Sequence, residues 1–450
     1  MRQNFDLIVI GTGAAGSTAA FKCRSVGWHV AIVDSRPFGG TCALRGCAPT
    51  KVLVGAAELR EWDRRMSEKG ISSNGAEIDW PALIRFKREF TDPVPESREK
   101  GFRKVGISLF HGRARFLDRN TLQIGDDTLA ARYIVIAAGA MPARLGIVGE
   151  QYLTTSEHFL KIEQLPASIL FVGGGYISFE FAHVAFQAGA QVRILHRSAR
   201  PLQGFDPDLV DKLVSMNRDS GIDIQLNTDV KAIEKHDDHF IVTASASGKQ
   251  RRFEADMVVH GAGRVPEIDD LDLAKANIER DKKGIVVNEY LQSSSNPLVY
   301  AAGDAASTAG MPLTPVAGME GGVVAANLLD GNHQKPNYLG IPTVVFTTPP
   351  LASVGLLEQD ALGSGLKFRV NHQDTTFWYS SQRTGIKASG FKVLIEEESE
   401  RILGAHLFGP NVEEVINLFG LAIRSGLRAA DLRQTIYAYP TNSSDLPYML

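Results

Sequence analysis

Residues 5–34 read FDLIVIGTGAAGSTAAFKCRSVGWHVAIVD, and this stretch decides the fold. Phe5–Ile10 reads as a buried strand, apolar but for Asp6. Gly11, Gly13 and Gly16 follow at the spacing G-x-G-x-x-G, then a helix-compatible run to Val26. A second apolar strand, Trp28–Val33, ends on Asp34. A glycine loop between strand and helix lets the positive helix end and its free N–H groups approach a pyrophosphate closely. An acid about 20 residues after the first glycine suits a ribose hydroxyl, and Asp34 stands near that distance. Strand, spacing and acid together predict a Rossmann-like dinucleotide unit.

The pattern returns further along the chain. Ser168–Val172 reads as a buried strand, followed by Gly173, Gly175 and, in the third glycine's place, Ser178. A helix to Gln187 and a strand over Gln191–Leu195 complete the second unit. The two loops lie too far apart for a solenoid repeat, so two separate Rossmann-like units are expected. The second strand ends on Leu195-His196-Arg197-Ser198-Ala199-Arg200, with no acid. Cations there favour a 2′-phosphate, so Arg197 and Arg200 predict NADPH over NADH.

Similar strands ending in small residues follow each unit, Tyr133–Gly139 and Met257–Gly263. A third, Leu298–Asp304, precedes a helix over Pro315–Leu329, and residues 336–342 read as a linker. The last hundred residues alternate strands (Thr343–Phe346, Phe391–Glu396, Arg401–Leu407) with helices such as Glu413–Ser425, an α+β domain.

Composition narrows the function classes. Over 450 residues, 48 Lys and Arg stand against 51 Asp and Glu, a net charge of −3. With no basic block, neither a nucleic acid nor a membrane surface is an expected partner. No apolar run approaches the ~18 residues of a membrane span. The N-terminal apolar run breaks at Gly11, so no signal peptide is expected. Three cysteines exclude a disulfide scaffold and suit a reducing cytoplasm, the expected compartment.

Two of those cysteines lie in Gly39–Lys51, GGTCALRGCAPTK. Cysteines five apart can close a small disulfide ring if the intervening segment begins a helix, and a helix N-terminus favours a thiolate. A structural zinc site needs four ligands and only Cys23 remains, so no metal site is expected. Cys23 reads as a buried small hydrophobe of the first helix.

This segment resembles the redox-active disulfide motif of the flavin-dependent pyridine nucleotide-disulfide oxidoreductases, which include glutathione reductase, dihydrolipoamide dehydrogenase and mercuric reductase. Further likeness lies in GGGYISFEFA (173–182), VYAAGDAA (299–306), LTPVA (313–317), PTVVFTTPPLASVG (342–355) and GAHLFGPNVEEVI (404–416), and covers essentially the whole chain. The resemblance implies an α/β fold with two Rossmann-like dinucleotide-binding domains and a C-terminal α+β dimerisation domain. Its boundaries would be 1–145 and 271–336 for FAD, 146–270 for NAD(P)H, and 337–450 for the interface.

It implies roles as well. Cys42 would be the interchange thiol and Cys47 the thiol beside the flavin, with Lys51 near flavin N5 and paired with Glu180. Gly11, Gly13, Gly16, Asp34, Gly40, Thr41, Gly139, Asp304, Thr314, Pro315 and Ala317 would bind FAD. Gly173, Gly175, Tyr176, Arg197, Arg200 and Gly263 would bind NADPH, Tyr176 as a gate over the nicotinamide. The active unit would be a homodimer, and the apolar residues Val415, Ile416, Leu418, Phe419 and Ile423 could supply part of its face.

One departure concerns the electron acceptor. Where disulfide reductases of the family carry a His-Pro-Thr motif and a following Glu, this chain reads Ala438-Tyr439-Pro440-Thr441, with Ser444 in the glutamate position. A phenol titrating near pH ~10 is a poor proton shuttle at neutrality, whereas imidazole near ~6.5 is a good one. Tyr439 is thus expected to support the acceptor without serving as the main acid/base. Mercuric reductase resembles the chain in having tyrosine there, but also carries a C-terminal vicinal cysteine pair, and no cysteine follows Cys47 here. The expected activity is electron transfer from NADPH through FAD to a Cys42–Cys47 disulfide, and on to a small soft acceptor, a disulfide or a thiol-avid metal ion. A quinone-reducing diaphorase and a non-catalytic redox-sensing flavoprotein are the rivals. Arg45, inside the cysteine segment, could meet an anionic substrate or only solvent.

Overall fold

The strand Arg2–Ile10 lies at the centre of a mostly parallel sheet, flanked by Val30–Asp34 on one side and Asp127–Ile136 on the other. This is a computed structural model, and it describes residues 2–67, 69–71 and 75–450. Leu7, Ile8 and Val9 are fully buried, as expected of a parallel strand covered on both faces. Ser108–His111 extends one edge, while Val299–Ala301 and the antiparallel strands Thr121–Ile124 and Ala114–Phe116 extend the other. Helices Ala14–Ser25 and Thr314–Asp330 bury Ala15, Ala20, Val323 and Val324 in the core on one face of this sheet. The chain divides into two compact units, and this first one comprises Met1–Pro49, Phe86–Ala143 and Gly263–Tyr338.

The second unit comprises Thr50–Arg85, Arg144–Ala262 and Leu339–Leu450. Its parallel sheet runs Asp223–Gln225, Gln191–Leu195, Ser168–Val172, Met257–His260. A three-stranded antiparallel ribbon, Thr228–His236, His239–Ala246 and Lys249–Ala255, follows in sequence. Residues 343–408 supply a five-stranded antiparallel sheet, against which helix Val412–Ser425 packs. The fold class is therefore α/β with two dinucleotide-type parallel sheets and a C-terminal α+β portion. Among the described residues, no helix is long and apolar enough to cross a membrane.

Several expected elements shift. The second strand begins at Val30 and not Trp28, whose ring stacks on Tyr133 at 6.0 Å. Tyr133 belongs to a ten-residue strand, Asp127–Ile136. Asp304 lies in a 3₁₀ turn, Gly303–Ala305, after a strand that stops at Ala301. The expected dimer face on the last long helix is corrected. Val415, Ile416, Phe419 and Ile423 are buried in the chain's own core, because that stripe covers the antiparallel sheet. The exposed apolar groups of this region include Leu421, Leu427, Ile436, Tyr439 and Tyr448, with Ile436 and Tyr439 97% and 85% exposed.

Candidate active site

In the first unit, Gly11 takes φ +103°, which lets the chain turn from strand to helix, and a Cβ there would stand 2.2 Å from Ala137 O. Thr12 then ties the loop down. Its N–H and hydroxyl donate to Asp34 Oδ2 at 2.9 and 2.6 Å, and its Oγ1 accepts from Gly39 N–H at 3.0 Å. Arg36 N–H donates to Asp34 Oδ1 at 3.0 Å. The Asp34 carboxylate thus holds three protein donors and keeps lone pairs for a hydroxyl.

Helix Ala14–Ser25 starts behind Gly13 with no side-chain cap and no acid in its first turn. A Cβ on Gly13 would meet nothing within 4 Å, whereas one on Gly40 would stand 2.5 Å from Gly13 Cα. Open space over an uncapped helix end, walled by a second backbone loop, is a cradle that fits a dinucleotide pyrophosphate. Asp304 stands in the turn Gly303–Ala305 of the same unit. Burial raises its carboxyl above the usual range, against the opposing charge of Arg264. Glu320, buried on helix Thr314–Asp330, accepts from Gly303 N–H (2.6 Å), Thr308 Oγ1 (3.0 Å) and Tyr338 OH (2.6 Å), and so fixes the turn that carries Asp304.

Cys42 sits on the short helix Gly40–Arg45, Gly46 breaks it, and Cys47 opens the helix Cys47–Met66. Pro49 is tolerated because a first-turn residue needs no N–H partner. Both cysteines are thiols here, the reduced form of the expected disulfide. Hydrogen bonding to Cys47, then burial, pushes the Cys42 thiol up, while Thr314 opposes this with a hydrogen bond of its own. Thr314 Oγ1 also lies 3.6 Å from Cys47 Sγ. One hydroxyl therefore serves both sulfurs. A dithiol in mutual contact can close to a disulfide with the loss of two electrons and two protons.

In the second unit, Gly173 takes φ +104°, and helix Tyr176–Gln187 starts behind Gly175 with neither a side-chain cap nor a first-turn acid. Glu180, 4% exposed, accepts from Lys51 Nζ at 2.7 Å through Oε2 and from Phe346 N–H at 3.0 Å through Oε1. The Lys51 ammonium lies 4.0 Å from the centroid of the Phe346 ring. His183, one turn on, accepts from Thr348 N–H at 3.1 Å through Nδ1, and burial holds its imidazole down at about 4. Gln187 donates to Glu61 at 2.9 Å. The structure thus brings Lys51 and Glu180 together and adds Phe346. The sequence reading took Phe346 for the last strand residue, but the strand stops at Val345.

The remaining expected residues distribute as follows. Gly139, Pro315 and Ala317 fall in the first unit with the other flavin-side residues, and Gly263 falls there too, while the other NADPH-assigned residues fall in the second. Tyr176 is the first residue of its helix, and Arg197 is exposed just past the strand Gln191–Leu195. Tyr439 is exposed, and Ser444 donates to Thr441 O at 2.6 Å. Among the described residues, no group of three or more His, Cys, Asp or Glu is placed to hold a metal ion.

Residues 5–321 match the family model described as pyridine nucleotide-disulphide oxidoreductase, and residues 341–449 match that family's dimerisation domain. The chain is similar to a glutathione reductase from Burkholderia cepacia, 32% identical over 448 residues, 98% of this chain and 97% of that one. It is similar to a mercuric reductase from Bacillus cereus, 30% identical over 454 residues, 98% of this chain and 70% of that one. A dihydrolipoyl dehydrogenase from Geobacillus stearothermophilus is 30% identical over 443 residues, 97% and 93% of the two chains. Among solved structures it is similar to the HOCl-induced flavoprotein disulfide reductase RclA from Escherichia coli, a Cu(II) complex of a cysteine-to-serine mutant. The TM-score is 0.88 at 26% identity, over 99% of each chain.

Proposed function

The chain belongs to the pyridine nucleotide-disulphide oxidoreductase family, and from that premise we propose an NADPH-dependent, FAD-containing homodimer that reduces a small thiophilic acceptor through Cys42 and Cys47. The observation that carries the reading is the pair of neighbouring thiols sharing the Thr314 hydroxyl. Gly11, Gly13, Gly16, Gly40, Thr41, Gly139, Asp34, Asp304 and the start of helix Thr314–Asp330, with Thr314, Pro315 and Ala317, would hold FAD. When bound, FAD supplies the step between hydride donor and disulfide, taking two electrons from NADPH and returning them to sulfur.

The chain's own residues do the rest. Lys51, held by Glu180 and the Phe346 ring, keeps a cation one helical turn from Cys47. Cys47 opens that helix, its sulfur 3.6 Å from the Thr314 hydroxyl. Cys42 meets the acceptor: once its proton has left, its sulfur attacks a disulfide sulfur, expelling one thiolate, or both sulfurs ligate a soft cation.

Support for a metal-ion acceptor comes from two sides. Tyr439 stands where a proton shuttle for a leaving thiolate would be needed. The similar proteins include a mercuric reductase and a disulfide reductase solved with Cu(II). Arg197 and Arg200 support NADPH.

The test is a steady-state screen of the purified holoenzyme with NADPH against oxidised glutathione, Hg(II), Cu(II) and quinones. Turnover of Hg(II) or Cu(II) well above that of oxidised glutathione is expected. Glutathione turnover typical of a dedicated reductase would overturn the reading of Tyr439. Installing Tyr439→His with Ser444→Glu should raise glutathione turnover and give it a pH profile near that of imidazole.

A further inference from the structure

The strand Gln191–Leu195 runs into a residue that is fixed from all sides. His196 N–H donates to Gln225 O at 2.9 Å, and its carbonyl accepts from Thr228 N–H at 2.8 Å. Its ring reaches forward, with Nε2 3.0 Å from Arg200 O and 2.7 Å from Ser198 Oγ. A carbonyl only accepts, so this network assigns the ring hydrogen to Nε2 and leaves Nδ1 bare. Nδ1 is buried and has no hydrogen-bond partner among the described residues. On that side the ring meets the glycine loop. A Cβ on Gly174 would stand 2.8 Å from His196 Cγ and Nδ1, so only glycine admits the ring. The far end of the turn returns to the same loop, where Leu202 N–H donates to Gly174 O at 2.9 Å. Between these anchors stand Arg197 and Arg200.

We propose that His196 is a positioning residue for nucleotide selectivity: its ring clamps the 197–200 turn to the Gly173–Gly175 loop and so presents the two arginines to the 2′-phosphate of NADPH. The inference rests on the NADPH preference proposed above. It assigns selectivity not to the arginines alone but to a neutral strut behind them. Burial keeps this imidazole below its ordinary titration range, and the Arg197 charge adds to that, so the ring brings shape and one N–H, not a third cation. A flexible turn would lose the benefit of the guanidinium groups, because ordering them would fall to the ligand.

The experiment follows flavin reduction in the holoenzyme by stopped flow, with no acceptor present, over a range of NADPH and of NADH. His196→Leu removes the N–H, and His196→Gln restores a donor of similar reach. One hydrogen bond is worth about 0.5–1.5 kcal/mol, so His196→Leu should raise the half-saturating NADPH concentration about three- to tenfold. The limiting rate and the NADH value should stay within about twofold, and His196→Gln should recover the NADPH value. If His196→Leu does not retain flavin, His196→Asn, whose amide is too short to reach Arg200, carries the same expectation. Equal shifts for both nucleotides, a fall in limiting rate alone, or no shift at all would overturn the proposal. Arg197→Glu separates the two claims. A selective NADPH defect there, with none in His196→Leu, leaves the NADPH reading standing and removes this one. Equal use of NADH by the unmutated enzyme removes the NADPH reading itself.

Discussion

The two glycine loops are the same backbone device with opposite chemistry at the strand end. Gly11 and Gly173 turn at φ +103° and +104°, and each loop leads into a helix with no side-chain cap. One strand ends on Asp34, folded back to hold Thr12. The other ends on Leu195 and runs into His196, folded back toward Gly174, with arginines following. The shared backbone suits both loops to an anion, and in the reading proposed above the residues at the strand end choose the ribose. The helices differ too. Ala14–Ser25 buries small residues and Cys23, whose thiol burial pushes up to about 12. Tyr176–Gln187 buries Glu180, His183 and Gln187, all engaged in polar contacts. The first helix buries mainly small residues, with Ser17 donating to Thr12 O at 2.9 Å, while the second buries an acid that anchors the Lys51 charge.

The comparison has meaning only if both loops serve one dithiol, and Cys42→Ser breaks it most severely. Acceptor turnover should fall at least ~10³-fold, while NADPH still reduces the flavin. Unchanged turnover in an acceptor assay would instead favour the diaphorase reading. Next in size is the acid response of the second helix. Unfolded, His183 titrates near ~6.5, whereas folded it is held at about 4 by burial. Between those values only the unfolded chain takes up the proton, so stability is lost as pH falls from about 6.5 to 4, by up to about 3 kcal/mol from this group. His183→Asn keeps an acceptor for Thr348 N–H, and its denaturation midpoint should depend less on pH across that window. An identical pH dependence in both proteins would refute the buried neutral imidazole.

The strand ends come next. Arg197→Glu should raise the Michaelis constant for NADPH ~10- to 100-fold and leave that for NADH nearly unchanged, since a hydrogen bond to a charged group is worth about 1.5–3 kcal/mol. Asp34→Asn should act on the other loop only. The FAD dissociation constant, read by flavin fluorescence, should rise about tenfold with NADPH saturation unaltered. A change in NADPH saturation in Asp34→Asn would mean that the two strand ends are not independent readers.

Much of this was legible in the sequence, because both parallel strands are apolar on both faces and both loops carry glycines at fixed spacing. Helix Tyr176–Gln187 and strands Ser168–Val172 and Gln191–Leu195 fall where the pattern put them. The antiparallel ribbon Thr228–Ala255 was not legible. Its strands expose much of their length, Lys249–Arg252 entirely, so no buried period stands out. The Lys51–Glu180 pair came only from resemblance, since nothing local links residues so far apart in the chain. Phe346 and the Glu320 cluster were missed for the same reason. Their partners lie across the fold, and a lone aromatic or acid carries no spacing signal.

The central claim is that electrons from NADPH reach the Cys42–Cys47 pair. Rapid mixing of the anaerobic holoenzyme with NADPH, followed by absorbance, tests it most directly. The account predicts fast loss of the oxidised-flavin band together with a long-wavelength thiolate-to-flavin absorbance that persists in Cys42→Ser and vanishes in Cys47→Ser. A long-wavelength band unchanged in Cys47→Ser, or no flavin reduction by NADPH in the unmutated enzyme, would contradict it.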